Sequence, residues 1–217
     1  MISSIKFFTK RLVIKKNLLP LSNRWKITVL RPKKIEDKKL ILNLMSVLRR
    51  KGYEGSSLNE LAEAANLNKA SLYHRYPGGK KEIADTVLDF THNWVQEHIY
   101  QLLLQSTTPP KKRLHLVLKL IGEDLYNKGH EMCLLRTLSI DDSHGMFGGK
   151  IKDIMTTWIK GFTFLGIDFG YTEKEAANKA VQVLVHIQGG LVISDGLGSV
   201  EPFAAMLEAI EKIYINE

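Results

Sequence analysis

The segment from Ser56 to Glu82, SSLNELAEAANLNKASLYHRYPGGKKE, decides the fold of this chain. Ser57, followed by Glu60 at the third position after it, forms a capping box, which predicts the start of a short helix. Asn66 tolerates left-handed backbone better than most residues, and Asn68 can cap a second helix, KASLYHRY. The segment therefore predicts two short helices that meet across a tight turn.

A longer amphipathic helix is predicted before this pair, over residues 36–51, with acids near its start and bases near its end. Such a trio is the arrangement of a helix-turn-helix unit, whose second helix lies in the major groove of DNA. The turn spacing alone fits an ordinary helical hairpin equally well. The second helix favours DNA, because its Lys, Ser, Tyr, His and Arg side chains suit contacts with bases or phosphates. Leu72 and Tyr76 share one face of it and are expected to pack in the core.

The same segment resembles the DNA-binding region of the tetracycline-repressor-like regulators. The usual pattern of that family is T-x-x-x-I-A-x-x-A-G-V-S-x-G-x-L-Y-x-H-F, then a short turn and K-E-x-L, and the match spans about residues 36–90. Two asparagines in the turn replace the family's usual Gly and Ser but keep the same backbone and capping chemistry. Gly78 and Gly79 lengthen the second turn, which leaves open whether Lys80 or Lys81 faces a phosphate; we favour Lys80.

The resemblance implies roles for the residues around the second helix. Lys69, Ala70 and Ser71 would enter the groove first and carry most base contacts, and Lys80 would hold a phosphate at the start of the fourth helix. Exposed amides at a helix N-terminus attract anions and would assist that lysine. The DNA-contacting residues implied in this way are Ser57, Lys69, Ala70, Ser71, Tyr73, His74, Arg75 and Lys80.

The composition is that of a folded protein, since 44% of the 217 residues are hydrophobic and 25% are charged. The basic character is local: residues 1–35 hold ten of the 31 Lys and Arg residues and no Asp or Glu. They are predicted to form a mobile extension, or to result from a start codon assigned too far upstream. The alternative is a functional arm that binds DNA phosphates.

The composition also indicates the cellular compartment of the protein. No uninterrupted apolar run approaches the roughly 18 residues that a membrane-spanning helix needs. The single cysteine, Cys133, excludes an internal disulfide and fits a reducing compartment best. The chain is therefore predicted to be a soluble, cytoplasmic protein with no membrane partner.

The whole chain from residue 36 is predicted to be helical, which gives an all-α protein of about nine helices. The fourth helix is predicted to run from Lys80 to about Gln105, roughly 39 Å long. It would connect the DNA-binding domain, residues 36–90, to a larger helical domain, residues 91–217. The last two long helices are rich in small and aliphatic residues, which fits core packing. The resemblance implies that they also form the interface of a homodimer. Its two DNA-binding domains, called heads below, would bind one palindromic site.

The larger domain is implied to bind a small organic ligand. Aromatic residues mixed with a few polar groups suit such a ligand, although each of these residues alone fits a structural core position as well. The candidates are Trp94, Tyr126, Met132, Cys133, Trp158, Phe162, His186 and Gln188. No metal or cofactor is predicted, because His130 and Cys133 together offer too few metal ligands.

Enzyme classes find little support in the sequence. It contains no GxxxxGK[ST] phosphate loop, no HExxH zinc pair and no GxSxG motif. Two functions remain. The first is a ligand-responsive dimeric repressor that a small-molecule inducer releases from a palindromic operator. The second is a constitutive or architectural DNA-binding protein without a small-molecule ligand.

Overall fold

The computed structural model describes residues 33–140 and 145–215, with side chains from residue 38 onward. The chain divides into two units, Met1–Pro32 and Lys33–Glu217. The basic extension predicted over residues 1–35 lies outside the described residues, except for its last three residues, which begin the first helix. The predicted domain boundary at residue 90 falls inside the second unit and stays a prediction.

Nine α-helices make up the described part of the chain, which contains no strand. In chain order they are α1 (Lys33–Lys51), α2 (Leu58–Ala64), α3 (Lys69–Arg75), α4 (Gly79–Trp94, continued by Val95–Tyr100 and Gln101–Leu104), α5 (Pro110–Leu120, continued by Ile121–Leu125), α6 (Leu134–Ile140), α7 (Gly148–Asp168), α8 (Glu173–Leu197) and α9 (Glu201–Tyr214). A 3-10 turn, Asn127–Gly129, lies between α5 and α6. The prediction of an all-α fold with about nine helices is confirmed.

α4 is continuous over residues 79–104, close to the predicted span, but it contains a π-helical turn at Val95–Tyr100. The end of this turn and the residues after it lie against α7. A Cβ atom added to Gly161 of α7 would come within 2.9 Å of the Leu103 side chain and 3.2 Å of the Tyr100 side chain. Glycine at this position therefore allows α4 and α7 to approach closely. The apolar spacing along α4 fits a regular α-helix equally well, so the sequence does not predict the π turn.

The larger helical region is built on α7, α8 and α9, which pack against one another. α4 lies along α7, and α1 contacts both α4 and α6. Arg113, at the start of α5, is buried; its guanidinium donates to the Leu103 carbonyl and to the Asp168 carboxylate. This single side chain therefore joins the start of α5 to the ends of α4 and α7.

α8 is, within the part of the chain described, the one helix long and apolar enough to cross a membrane by length and composition. Core helices of globular proteins meet the same criterion. α8 begins at a capping box formed by Thr172 and Glu175, and it packs against both α7 and α9. It lies against these two helices on one side and is exposed on the other.

Candidate DNA-binding surface and ligand cavity

The turn between α2 and α3 has the predicted backbone chemistry. Ser57 Oγ accepts a hydrogen bond from the Glu60 amide at 3.2 Å, and the Glu60 carboxylate accepts one from the Ser57 amide at 2.9 Å. Asn66 adopts the left-handed conformation, with φ of 53°. The Leu67 amide then donates to the Ala62 carbonyl at 2.9 Å. These contacts close the turn and fix the direction in which α3 leaves α2.

The Glu60 carboxylate belongs to this cap and to a contact with α1. The hydrogen bond from Lys51, followed by those from Ser57, lowers the pKa of Glu60 to about 2. The carboxylate is therefore ionised throughout the neutral range. Since Lys51 is the last residue of α1, the capping box also ties α1 to the start of α2.

α3 presents one face to the core and the other to solvent. Its first turn is capped by Asn68, whose side-chain oxygen accepts a hydrogen bond from the Ser71 amide at 2.7 Å. Leu72 is fully buried and Tyr76 is 7% exposed, and both join the main core as predicted. The outward side chains are Lys69, Ala70, Ser71, Tyr73, His74 and Arg75. All six exposed positions of α3 thus belong to the predicted DNA-contacting set.

The two lysines after the second turn have different environments. Lys80 Nζ donates to the Ser56 carbonyl at 3.3 Å and lies 4.3 Å from the centre of the Tyr53 ring. It is also 3.8 Å from the Glu54 carboxylate. Lys81 is more exposed and pairs with a carboxylate one turn further along α4. The ammonium of Lys80 therefore lies beside the residues that begin α2.

The hydroxyl of Ser57 is used within the protein. It accepts from the Glu60 amide, as described above, and donates to the Glu60 carboxylate at 2.8 Å. A phosphate contact from this hydroxyl would therefore compete with the cap of α2. The predicted role of Ser57 in binding DNA stays a prediction.

A cavity of about 730 Å³ lies among α6, α7 and α8. This volume is within the range of protein sites for small organic molecules. Its wall is mainly apolar, with few polar side chains. The lining residues are Tyr126, Leu135, Arg136, Ser139, Ile140, Met155, Trp158, Leu184, Val185, Ile187, Gln188, Gly189, Val192 and Ile193.

Three of the predicted ligand residues, Tyr126, Trp158 and Gln188, line this cavity. Cys133 lies directly behind two of them. Its Sγ is 3.6 Å from Tyr126 Oη and 3.2 Å from Gln188 Nε2, and accepts a hydrogen bond from each. Burial, followed by the neighbouring Cys133, raises the pKa of Tyr126 well above its usual value, so its hydroxyl is a neutral donor.

The other predicted ligand residues lie outside the cavity lining. Phe162 is fully buried and stacks on Trp158 at 6.1 Å between ring centres. Trp94 stacks on His98 at 5.0 Å. The His186 ring lies 2.8 Å from a backbone carbonyl of its own helix. The last is Met132, which is partly buried just before Cys133.

Arg136 is a polar cavity residue that the sequence analysis missed. It lies on α6 with Ser139 and Ile140, at the spacing of three and four residues that places side chains on one helix face. This spacing can be read from the sequence and indicates that the three residues share a face. A helix as short as α6 does not show which of its faces is the inner one, so the spacing alone does not predict that Arg136 lines the cavity.

Arg49 of α1 reaches the residues behind the cavity. Its guanidinium donates to the Leu125 carbonyl at 3.0 Å and lies 3.6 Å from the Glu131 carboxylate. The guanidinium carbon is 5.9 Å from the centre of the Tyr126 ring, which lines the cavity. Arg49 is only 8% exposed. A helix of the DNA-binding head thus contacts the cavity wall directly.

Comparison with known proteins shows which regulators the DNA-binding region is similar to. Residues 44–87, which include all of α2 and α3, match the sequence model of bacterial regulatory proteins of the tetR family. The chain resembles the tetR family in this segment. It is 25% identical over 160 residues to the uncharacterized HTH-type transcriptional regulator YxaF of Bacillus subtilis, which covers 72% of this chain and 83% of that protein.

Two further comparisons agree with the family. The chain is 27% identical over 118 residues to the HTH-type transcriptional repressor DhaR of a Mycobacterium species, covering 54% and 58% of the two chains. The crystal structure of a TetR transcriptional regulator from Legionella pneumophila matches with a TM-score of 0.71 at 17% identity. That match covers 81% of this chain and 95% of the other, and it shows a shared fold. The chain thus has the fold of tetR-family transcriptional regulators and the sequence pattern of their DNA-binding region.

The chain carries an apolar stripe on the outer face of α8. Val181, Val185 and Val192 are exposed by 47%, 62% and 39%, and they follow helical spacing. Val185 and Val192 also line the cavity, so the stripe borders its opening. Within the described ranges, no group of three or more His, Cys, Asp or Glu residues is placed to hold a metal ion.

Proposed function

We propose that this chain is a ligand-responsive transcriptional repressor, which binds a palindromic operator as a homodimer and leaves it when a small organic molecule occupies the cavity. One observation carries the ligand-responsive part. Arg49 belongs to α1, which packs against α2 and α4 of the head, and its guanidinium contacts Leu125 and Tyr126 at the cavity wall. A displacement of that wall would therefore act on the helix that supports the DNA-binding turn.

The DNA contacts are proposed from the outward face of α3. Lys69, Ala70 and Ser71 would contact base edges in the major groove, while Tyr73 and Lys80 would position the helix on phosphates. His74 and Arg75 would lie near the bases or phosphates of the same DNA site. The exposure of α3 and its anchoring through buried residues support this assignment, because the outward side chains are not needed for packing.

The homodimer is proposed to form on the apolar stripe of α8. Contiguous exposed apolar residues on a folded protein mark surfaces that contact other proteins. A twofold interface brings the same stripe of both copies together, and it would give two heads for the two halves of a palindromic operator. Since Val185 and Val192 border the cavity, the second copy would also cover part of its opening.

Ligand control would be a shift between two states of the dimer. A ligand that binds better to the state with its heads wrongly spaced for the operator lowers the population of the DNA-binding state. The repressor assignment is supported by the similarity to DhaR, which is named a repressor. We place the protein in the cytoplasm, where the DNA would be.

The test is a DNA-binding assay on sites found by genomic footprinting. Labelled duplexes carrying those sites are titrated with the full chain, and fluorescence anisotropy gives the dissociation constants. Lys69→Ala should weaken operator binding about tenfold, because it removes a groove-facing cation. Lys152→Ala removes the same charge from the exposed side of α7 and should change affinity less than about twofold.

The same assay tests the ligand response. A library of small apolar molecules is screened for compounds that release the labelled operator. Specific binding that no compound weakens would support the constitutive alternative and contradict the proposal. Equal losses for Lys69→Ala and Lys152→Ala would contradict the assignment of α3 as the groove-binding helix.

Dimerisation is tested by light scattering after size-exclusion chromatography. Val181→Lys places a charge on the α8 stripe without altering the cavity lining, and it should give a monomer. Leu116→Lys is a matched control, since Leu116 is 40% exposed on α5, and it should remain a dimer. A dimer in both variants would show that the interface lies elsewhere.

A further inference from the structure

The cavity among α6, α7 and α8 has one charged side chain among its described lining residues. Among the described residues, its lining contains one guanidinium, from Arg136, and no Asp, Glu, Lys or His. Its other polar side chains are Tyr126, Ser139 and Gln188, all of them neutral. In the part of the lining that the structure describes, one positive group therefore lies beside uncharged and mainly apolar side chains.

Two of the neutral polar groups are already satisfied. The Tyr126 hydroxyl donates to Cys133 Sγ, and the Ser139 hydroxyl donates to the Leu135 carbonyl at 2.6 Å. The guanidinium of Arg136 has no hydrogen-bond or carboxylate partner among the described residues. A cation in an apolar surrounding favours a ligand that supplies the missing negative charge, because the interaction is poorly screened there.

Gln188 adds a second requirement for a ligand of this cavity. Its Nε2 donates to Cys133 Sγ, while its Oε1 is buried and has no hydrogen-bond partner among the described residues. A buried acceptor without a donor lowers stability, and a ligand that supplies an N–H or O–H group would relieve this cost. Among the described residues, the cavity lining thus includes a guanidinium without a counter-ion and a Gln188 oxygen without a donor.

We propose that the cavity binds an apolar, ring-containing organic acid, whose anionic group pairs with Arg136 and whose N–H or O–H group donates to Gln188. Trp158, Tyr126 and Met155 supply flat or flexible apolar walls for the rings. The volume of about 730 Å³ accommodates a molecule of two or three rings. This inference rests on the proposed ligand-responsive function and names the chemical class that the site selects.

The test uses two fluorescent probes that differ only in the anionic group. 8-Anilino-1-naphthalenesulfonate carries a sulfonate and an N–H donor, and N-phenyl-1-naphthylamine carries the N–H donor alone. Both become fluorescent in apolar sites, so the full chain can be titrated directly. The sulfonate probe should bind about tenfold more tightly than the uncharged probe, because a hydrogen bond to a charged partner is worth about that factor.

Substitutions at Arg136 identify the group responsible. Arg136→Gln should remove the preference for the sulfonate and leave binding of the uncharged probe unchanged, whereas Arg136→Lys should keep most of it. Lys119→Gln is the control, since Lys119 lines a different cavity, between α5 and α9. A sulfonate affinity that falls in Lys119→Gln and not in Arg136→Gln would overturn the proposal.

A second pair of variants locates the probes. Gly189 lines the cavity, and a Cβ atom added there meets nothing within 4 Å, so Gly189→Trp should fill the space and abolish binding of both probes. Gly196 lies two turns further along α8 with equally open surroundings and does not line the cavity, so Gly196→Trp should bind both probes normally.

The outcomes separate this inference from the proposed function. If both probes bind with equal affinity and Gly189→Trp excludes them, the cavity takes ligands but does not select acids, and only this inference fails. If neither probe binds, the inference fails together with the ligand-responsive part of the proposed function. Binding that survives Gly189→Trp but is lost in Gly196→Trp would place the probes on the α8 stripe and also overturn the inference.

Discussion

Arg49 provides the most direct test of how the cavity and the head are connected. Replacing it with methionine keeps much of the apolar stem and removes the guanidinium. The variant loses a buried charged hydrogen bond to the Leu125 carbonyl, worth about 1.5–3 kcal/mol, and a partly exposed ion pair with Glu131, worth about 1 kcal/mol at most. It also loses a weak cation–π contact with Tyr126.

Part of this loss is offset. The Arg49 Nε is buried without a hydrogen-bond partner among the described residues, so its removal relieves a cost of about 1–2 kcal/mol. We therefore expect Arg49→Met to lower the free energy of unfolding by about 2 kcal/mol. For a chain of this size, that corresponds to a fall in Tm of about 4–8 °C, measured by circular dichroism at one fixed protein concentration.

Arg49→Met should also reduce the effect of a ligand on operator affinity. Without the guanidinium, α1 keeps its packing against α6 but loses its polar contacts with Leu125 and Tyr126, through which we expect a ligand to act on operator affinity. A wild-type coupling of about 1–3 kcal/mol, or roughly 5–150-fold in operator affinity, should fall towards no effect while the ligand still binds. Anisotropy titrations with and without ligand measure this ratio.

The neighbouring residue gives the control. Arg50 is exposed, and its bond among the described residues lies within α1, to Ser46, so Arg50→Met should leave both Tm and coupling close to wild type. If Arg49→Met keeps the full ligand effect on operator affinity, the contact is merely structural and the coupling follows another route. If both variants lose the ligand effect on operator affinity equally, a general loss of positive charge explains the change.

Further predictions concern the helices of the head. Glu60→Gln should lower stability at neutral pH, because it weakens the cap of α2 and the contact with Lys51. The pKa of Glu60 is depressed, so this contribution is present above about pH 4.5 and is lost as the pH falls towards about 2. The free energies of unfolding of wild type and Glu60→Gln in urea should therefore converge over that pH range. A gap that stays constant down to pH 2 would contradict the role of the charge. Leu72→Ala should cost about 2–5 kcal/mol in thermal unfolding, since Leu72 is fully buried. Tyr73→Ala, one position further along α3, should unfold like wild type yet bind the operator more weakly, and a comparable loss of stability in the two variants would mean that α3 packs differently.

The sequence was informative where local backbone chemistry determines the structure. The capping boxes at Ser57 and Thr172, the left-handed Asn66 and the cap at Asn68 all follow from short-range patterns, and each is present. The buried positions of Leu72 and Tyr76 follow from helical spacing alone. The fold class and the position of the head were therefore predictable.

The cavity was only partly predictable, because its lining comes from helices distant in the sequence. Residue type favoured aromatic side chains, and it found Trp158 and Tyr126 but also Phe162, which is buried among other rings. Arg136 lies on a helix too short for its faces to be told apart by periodicity. Which face of α6 turns inward depends on the packing of α1 and α7, and no local pattern records that.

The arrangement of α3 has a consequence for how such a regulator acquires new targets. The residues that hold α3 in place, Leu72 and Tyr76, are separate from those that would touch bases, Lys69, Ala70 and Ser71. Exposed substitutions of this kind usually change stability by less than about 0.5 kcal/mol. Gene duplicates could therefore diverge in operator sequence through neutral intermediates, and a designer could randomise the same three codons without endangering the scaffold.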